Sequence, residues 1–175
     1  MDAVRRLDSL HVPFEIPSNL HPALTKFVWL LGRWEGGGDG DYPTTGKFRF
    51  GQELIFQQDG RPFMHYLARS WIIDEQGEKV READQETGFL RCREDGTAEL
   101  LLTHNTGVLE LYYGQVDGAR LQLATDAVVR TETAEEHAAA TRLYGLVERD
   151  LWFANDKAAM GHELQPHLWG KLLRR

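Results

Sequence analysis

The chain has 175 residues, 42% hydrophobic and 27% charged, an ordinary globular composition sized for one domain or two small ones. Its formal net charge of −7 argues against nucleic acid and anionic membranes as partners. A single cysteine, Cys92, excludes a disulfide framework and any Cys-based zinc motif. No apolar run approaches the ~20 residues of a bilayer span, and the N-terminus lacks a signal-peptide apolar region, so a cytoplasmic location is the default expectation.

Residues 1–18 contain two prolines and mixed polarity and read as an arm preceding a single domain over 19–175. In "NLHPALTKFVWLLG", Asn19 can cap, Pro22 suits an early helical position, and Leu24, Phe27, Val28 and Leu31 recur at helical spacing. Gly32 ends this short helix. The period then changes. In "KFRFGQELIF", Phe48, Phe50, Leu54 and Phe56 share one parity, which is a half-buried strand. Further strands follow in "FMHYLARSWII", "QETGFLRCR", "TAELLLTH", "GVLELYYGQV", "ARLQLATDAVV", "TRLYGLV", "DLWFAND" and "LQPHLWGKLL". "QDGRP", "EDG", "DG" and "ER" are turns between them. "TETAEEHAAA" interrupts the pattern as a loop or helical turn.

About ten strands on tight connections leave no room for parallel crossovers. The expected fold is all-β, an antiparallel up-and-down barrel of about ten strands with a short N-terminal helix. Eight strands already hold a small ligand in some barrels, so a ligand cavity is expected here. "GRWEGGGDGDYPT" opens the first strand, with Trp34 placed to close one end of the barrel. Gly36 and Gly38 share its parity and leave a bare face that a neighbouring segment or a flat ligand can approach. The stretch also reads as a glycine-rich turn beside a core tryptophan. It is not a phosphate loop, because it lacks a GK[ST] ending and follows a helix instead of preceding one.

Of the seven histidines, His11 and His21 suit solvated or capping roles, and His137 in "AEEHAAA" suits the surface. His65 can face in or out. His104 ends a strand and can bond the turn backbone. Pro166 fixes φ just before His167, which suits a strand start that aims a side chain into a cavity. Strand parity, however, groups His167 with Gln165, Trp169 and Lys171, a mixed face.

"GRWEGGG" resembles the GxWxGxG motif of the nitrobindins, also described as peroxynitrite isomerases, at Gly32, Trp34, Gly36 and Gly38. "YPT", "GRPFMHY", "ETGFLR", "TGVLEL", "TRLYGL" and "LQPHL" continue the resemblance in order across residues 20–173. It implies a heme-binding β-barrel carrying one heme b, with His167 as the iron's axial ligand and Thr44 in contact with the heme. It implies conversion of peroxynitrite to nitrate at ferric heme, with nitric oxide as a companion ligand, in a monomer or homodimer. Two positions depart from the family pattern. Asp84 stands where relatives often carry a histidine, and Lys157 where many have methionine. Lys157 can pair with a heme propionate or reach solvent. Arg142 can serve a propionate or a buried carboxylate, or be a surface cation paired across the sheet. Phe48, Phe50, Leu100 and Leu102 are the expected apolar lining of the distal side. Two other readings compete: a carrier of an apolar small molecule, for which His167 is dispensable, and a filled interaction module with an exposed apolar patch.

Overall fold

The computed structural model describes residues 14–175. Most of the expected arm, with His11, lies outside the described residues, and residues 14–21 form neither helix nor strand. A 3₁₀ helix, Pro22–Leu30, comes first. Ten strands follow: β1 (Gly32–Gly40), β2 (Phe48–Gln57), β3 (Phe63–Ile73), β4 (Lys79–Cys92), β5 (Thr97–His104), β6 (Val108–Asp117), β7 (Arg120–Arg130), β8 (His137–Val147), β9 (Asp150–Ala159) and β10 (Gln165–Arg174). Each pairs antiparallel with the next, and β10 returns to β1 to close the barrel. The expected fold is the observed one. Among the described residues no helix is long and apolar enough to cross a membrane.

Alternation produces the strands. On β5, Ala98, Leu100 and Leu102 are buried inside, while Leu101 and Thr103 face out. Of the two capping candidates, His21 and not Asn19 is the N-cap, its Nδ1 accepting from the Ala23 amide at 3.1 Å. Asn19 instead accepts from Gln58 at 2.9 Å.

One end of the barrel is closed by the helix and Trp34. Leu24, Phe27, Leu30 and Trp34 are fully buried, and the Trp34 indole N–H donates to the Leu30 carbonyl at 2.8 Å. The Arg174 guanidinium covers the indole face at 4.0 Å. Above this floor, Phe56 stacks edge-on against Tyr66 at 5.3 Å and Tyr144 at 6.2 Å.

Of the two uses considered for the bare face of β1, the structure shows the approach of a neighbouring segment. Gly36 pairs with Leu172 and Gly38 with Gly170. A Cβ on either would run into the backbone carbonyls of Lys171 or Trp169. They allow β1 and β10 to approach closely, so they serve the seam that closes the barrel.

Candidate functional site

The end opposite Trp34 is formed by the connections 41–47, 74–78, 105–107, 131–136 and 160–164. His167 lies here, and a bulge aims it. Pro166 pairs with Asp156 and Leu168 pairs with Asn155, so His167 is the extra residue between two ladder positions. A bulge re-aims a side chain and shifts parity by one. That is why simple alternation grouped His167 with the outward Trp169.

Three neighbours hold the imidazole. The Asp41 amide donates to the His167 carbonyl at 2.9 Å, and Nδ1 lies 3.5 Å from the Asp41 carbonyl oxygen. The Tyr42 ring meets it edge-on at 5.4 Å and the Phe48 ring at 6.1 Å. Burial pushes its pKa down to about 4; the Lys157 charge adds to this, the Asp41 carbonyl opposes it, and His137 and Arg142 contribute further. The ring is therefore neutral at physiological pH. A proton on Nδ1, turned towards the Asp41 carbonyl, leaves Nε2 as a free donor to a metal.

Thr44 is exposed in the turn after Tyr42, at the same rim. Its neighbour Tyr42 is the better anchored. The Tyr42 hydroxyl accepts from the Ala159 amide at 2.8 Å and lies 3.1 Å from the Ala159 carbonyl, tying the β1–β2 connection to β9. Tyr42 and Asp41 were not singled out in the sequence, although Tyr42 opens "YPT".

Counting round the barrel, β5 lies across from β10. The wall there is ionic near the rim. Arg142, on β8, is buried and grips Glu86 of β4 with both terminal nitrogens, at 2.7 and 2.6 Å. Its Nε donates to the Tyr112 hydroxyl at 3.0 Å. Glu110 of β6 receives His104 Nε2 and His137 Nε2, each at 2.7 Å, and Arg142 at 3.5 Å. His104 Nδ1 stands 3.3 Å from Glu86.

This corrects several expectations. Arg142 is not a surface cation but the centre of a buried network. His137 is not free at the surface, and His104 bonds carboxylates instead of a turn. The apolar lining is also redistributed. Phe48 packs beside His167, and Leu100 and Leu102 are buried below the level of His104.

Burial opposes ionisation of Glu86, yet Arg142, His104 and Tyr66 outweigh it and hold its pKa below the usual value. Glu110 follows the same logic, with burial overcome by His104, His137 and Arg142. Glu86, His104 and Glu110 offer ligand atoms within 4.8 Å of one another. Arg142 already pairs with both carboxylates, and His104 and His137 contact them as well, so these ligand atoms are engaged within the protein.

Asp84 lies at the irregularity of β4, where the pairing passes from Gln85 to Glu82. It is exposed, but the surrounding wall strips enough water to push its carboxyl pKa up, and Glu86 adds to this. Lys157, half-buried on the inner face of β9, places Nζ 4.5 Å from the Tyr42 ring centroid. Cys92 is buried, its thiol pushed up to about 12, and takes no part.

Comparison with known proteins gives the chain a family. Residues 23–174 match the family model described as a THAP4-like, heme-binding beta-barrel domain. A peroxynitrite isomerase from Nocardioides sp. is 61% identical over 164 residues, covering 94% of this chain and 100% of that protein. A ferric nitrobindin-like protein from Streptomyces griseus is 40% identical, covering 88% of this chain and 82% of its own length. The crystal structure of Rv2717c from M. tuberculosis superposes with a TM-score of 0.80 at 34% identity, over 89% of this chain and 99% of that one. With a family model spanning nearly every strand and relatives at this identity, the chain belongs to the nitrobindin family of heme-binding β-barrels.

Proposed function

We propose that this protein binds one heme b through His167 Nε2 and isomerises peroxynitrite to nitrate at ferric heme. The observation that carries the reading is the β10 bulge, which turns a neutral imidazole inward at the barrel end. The names of the relatives support the reaction. The proposed domain is residues 19–175; the family match spans residues 23–174.

The donor set suits the group. A neutral, half-buried imidazole with one nitrogen turned to a backbone carbonyl is a good axial ligand. When bound, ferric heme supplies a Lewis acid able to take an oxygen of the anion. The chain's own residues supply orientation. Asp41 fixes the ring through its backbone, while Tyr42 and Phe48 restrict its rotation. Thr44 at the rim is the proposed contact to the porphyrin. Peroxynitrite and nitrate share atoms and charge, so no side chain has to keep a proton. Nitric oxide binding at the same iron, and protection against reactive nitrogen species, follow from this reading.

The apolar-carrier reading finds less support. Arg142, a buried cation that could take a fatty acid's carboxylate, is already committed to Glu86 and Glu110.

A hemin titration followed by absorbance tests the proposal. Wild type is expected to give a saturable Soret band at one equivalent and to accelerate peroxynitrite decay. His167→Ala is expected to lose or shift the band and to lose the acceleration. The same band in both proteins would remove His167 from the site and favour the carrier reading.

A further inference from the structure

Among the described residues, Lys157 has donors with no protein partner beside the His167 ring. It projects from the inner face of β9, in register with Gln165 on β10 and Ala140 on β8. Its backbone is fixed, because the Tyr42 hydroxyl lies 3.3 Å from its carbonyl. Its Nζ and the His167 imidazole flank the same Tyr42 ring, with centres 4.5 and 5.4 Å from it. Among the described residues no carboxylate pairs with Nζ and no hydrogen bond satisfies it, although the side chain is half-buried. The ring face offers a cation–π contact but no acceptor lone pair. Asp84, Glu135 and Glu110 act on it only through space, and Glu110 is committed to two histidines and Arg142. Burial lowers the Lys157 pKa, as it does for an ammonium that has lost part of its water without gaining a protein partner.

We infer that Lys157 is an oxyanion-holding residue of the His167 site, taking either a carboxylate of the bound porphyrin or an anion at its iron. The inference rests on heme binding at His167. Both anion sources meet the ammonium by the same chemistry, a charge-assisted hydrogen bond in a partly dehydrated setting.

Three proteins decide it: wild type, Lys157→Met and Lys157→Arg. Each is titrated with hemin and with hemin dimethyl ester, and each ferric complex is then titrated with azide, all by absorbance. If the porphyrin carboxylate is the partner, Lys157→Met weakens hemin binding about fivefold. The ester then binds all three proteins equally, and Lys157→Arg restores hemin affinity. If the iron-bound anion is the partner, hemin affinity is unchanged while azide binding weakens about fivefold in Lys157→Met and recovers in Lys157→Arg. Equal hemin and azide affinities in wild type and Lys157→Met overturn the inference. So does equal weakening in Lys157→Met and Lys157→Arg, which marks a packing effect. A saturable Soret band in Lys157→Met, lost in His167→Ala, keeps any failure here separate from failure of heme binding.

Discussion

Glu86 and Arg142 show most directly what one side chain can cost. Arg142 is buried and Glu86 half-buried, and each satisfies the other through two hydrogen bonds. Arg142→Met strands two carboxylates inside the barrel, and urea unfolding is expected to show a loss of about 3–5 kcal/mol. Adding Glu86→Gln to that variant should recover part of the loss, because one stranded charge is gone. If the double variant is as unstable as the sum of the singles, the two residues are not coupled. Arg142 was visible in the sequence as a strand cation with several open roles. Its partner was not legible, because Glu86 lies 56 positions away and only barrel closure brings them together. His167 was legible through "LQPHL", but its direction was hidden, since a one-residue bulge reverses the parity on which strand reading depends.

Among the elements, β1 is the strand whose sequence looks least like a strand. Its pairing makes sense of the glycines, and the claim can be tested by adding one methyl group. Gly38→Ala forces a Cβ against the Trp169 carbonyl and should destabilise by about 1–3 kcal/mol. Gly145→Ala on β8 is the control. Its Cβ would meet only the Ala119 carbonyl oxygen, at 3.9 Å, and thermal unfolding should scarcely change. Equal behaviour of the two variants would show that the β1–β10 approach is not limiting. Most of the other strands were readable from alternation and from glycine turns such as that at Gly96, with φ 94°. However, β4 begins at Lys79, among exposed residues, and β8 at His137, inside "TETAEEHAAA", whose alanines give no alternation. Asn19 and His21 both suit capping in the sequence, and His21, the residue before Pro22, takes the role.

At the scale of the whole molecule, the interior charges shape the response to pH. Glu86 and Glu110 titrate below their ordinary 4.5 in the folded state. Their contribution is complete above that value and is lost as pH falls through the folded pKa. Tyr66 and Tyr144 are pushed above their ordinary 10.0, chiefly by burial, so folding resists their ionisation and weakens as pH rises beyond that value. Melting temperature measured by circular dichroism should hold a plateau between these limits and fall on both sides. Glu110→Gln should lower the plateau and flatten its acid limb. An unchanged acid limb would place the acid sensitivity elsewhere. Closure itself was inferable from the number of strands and the shortness of the turns. The ionic wall was not, because its members are spread over β4, β5, β6 and β8 and meet only when the barrel closes.

The seam also sets an order of events during synthesis. The strand that bears His167 is the tenth of ten, and its partner β1 is the first. A growing chain carries β1 with one edge unpaired until β10 has left the ribosome, because no earlier strand pairs with that edge. The imidazole that would hold the cofactor arrives in the same step that completes the wall. On the proposed reading the cofactor site is completed only when β10 docks onto β1, and until that docking the free edge of β1 is open to pairing with another molecule.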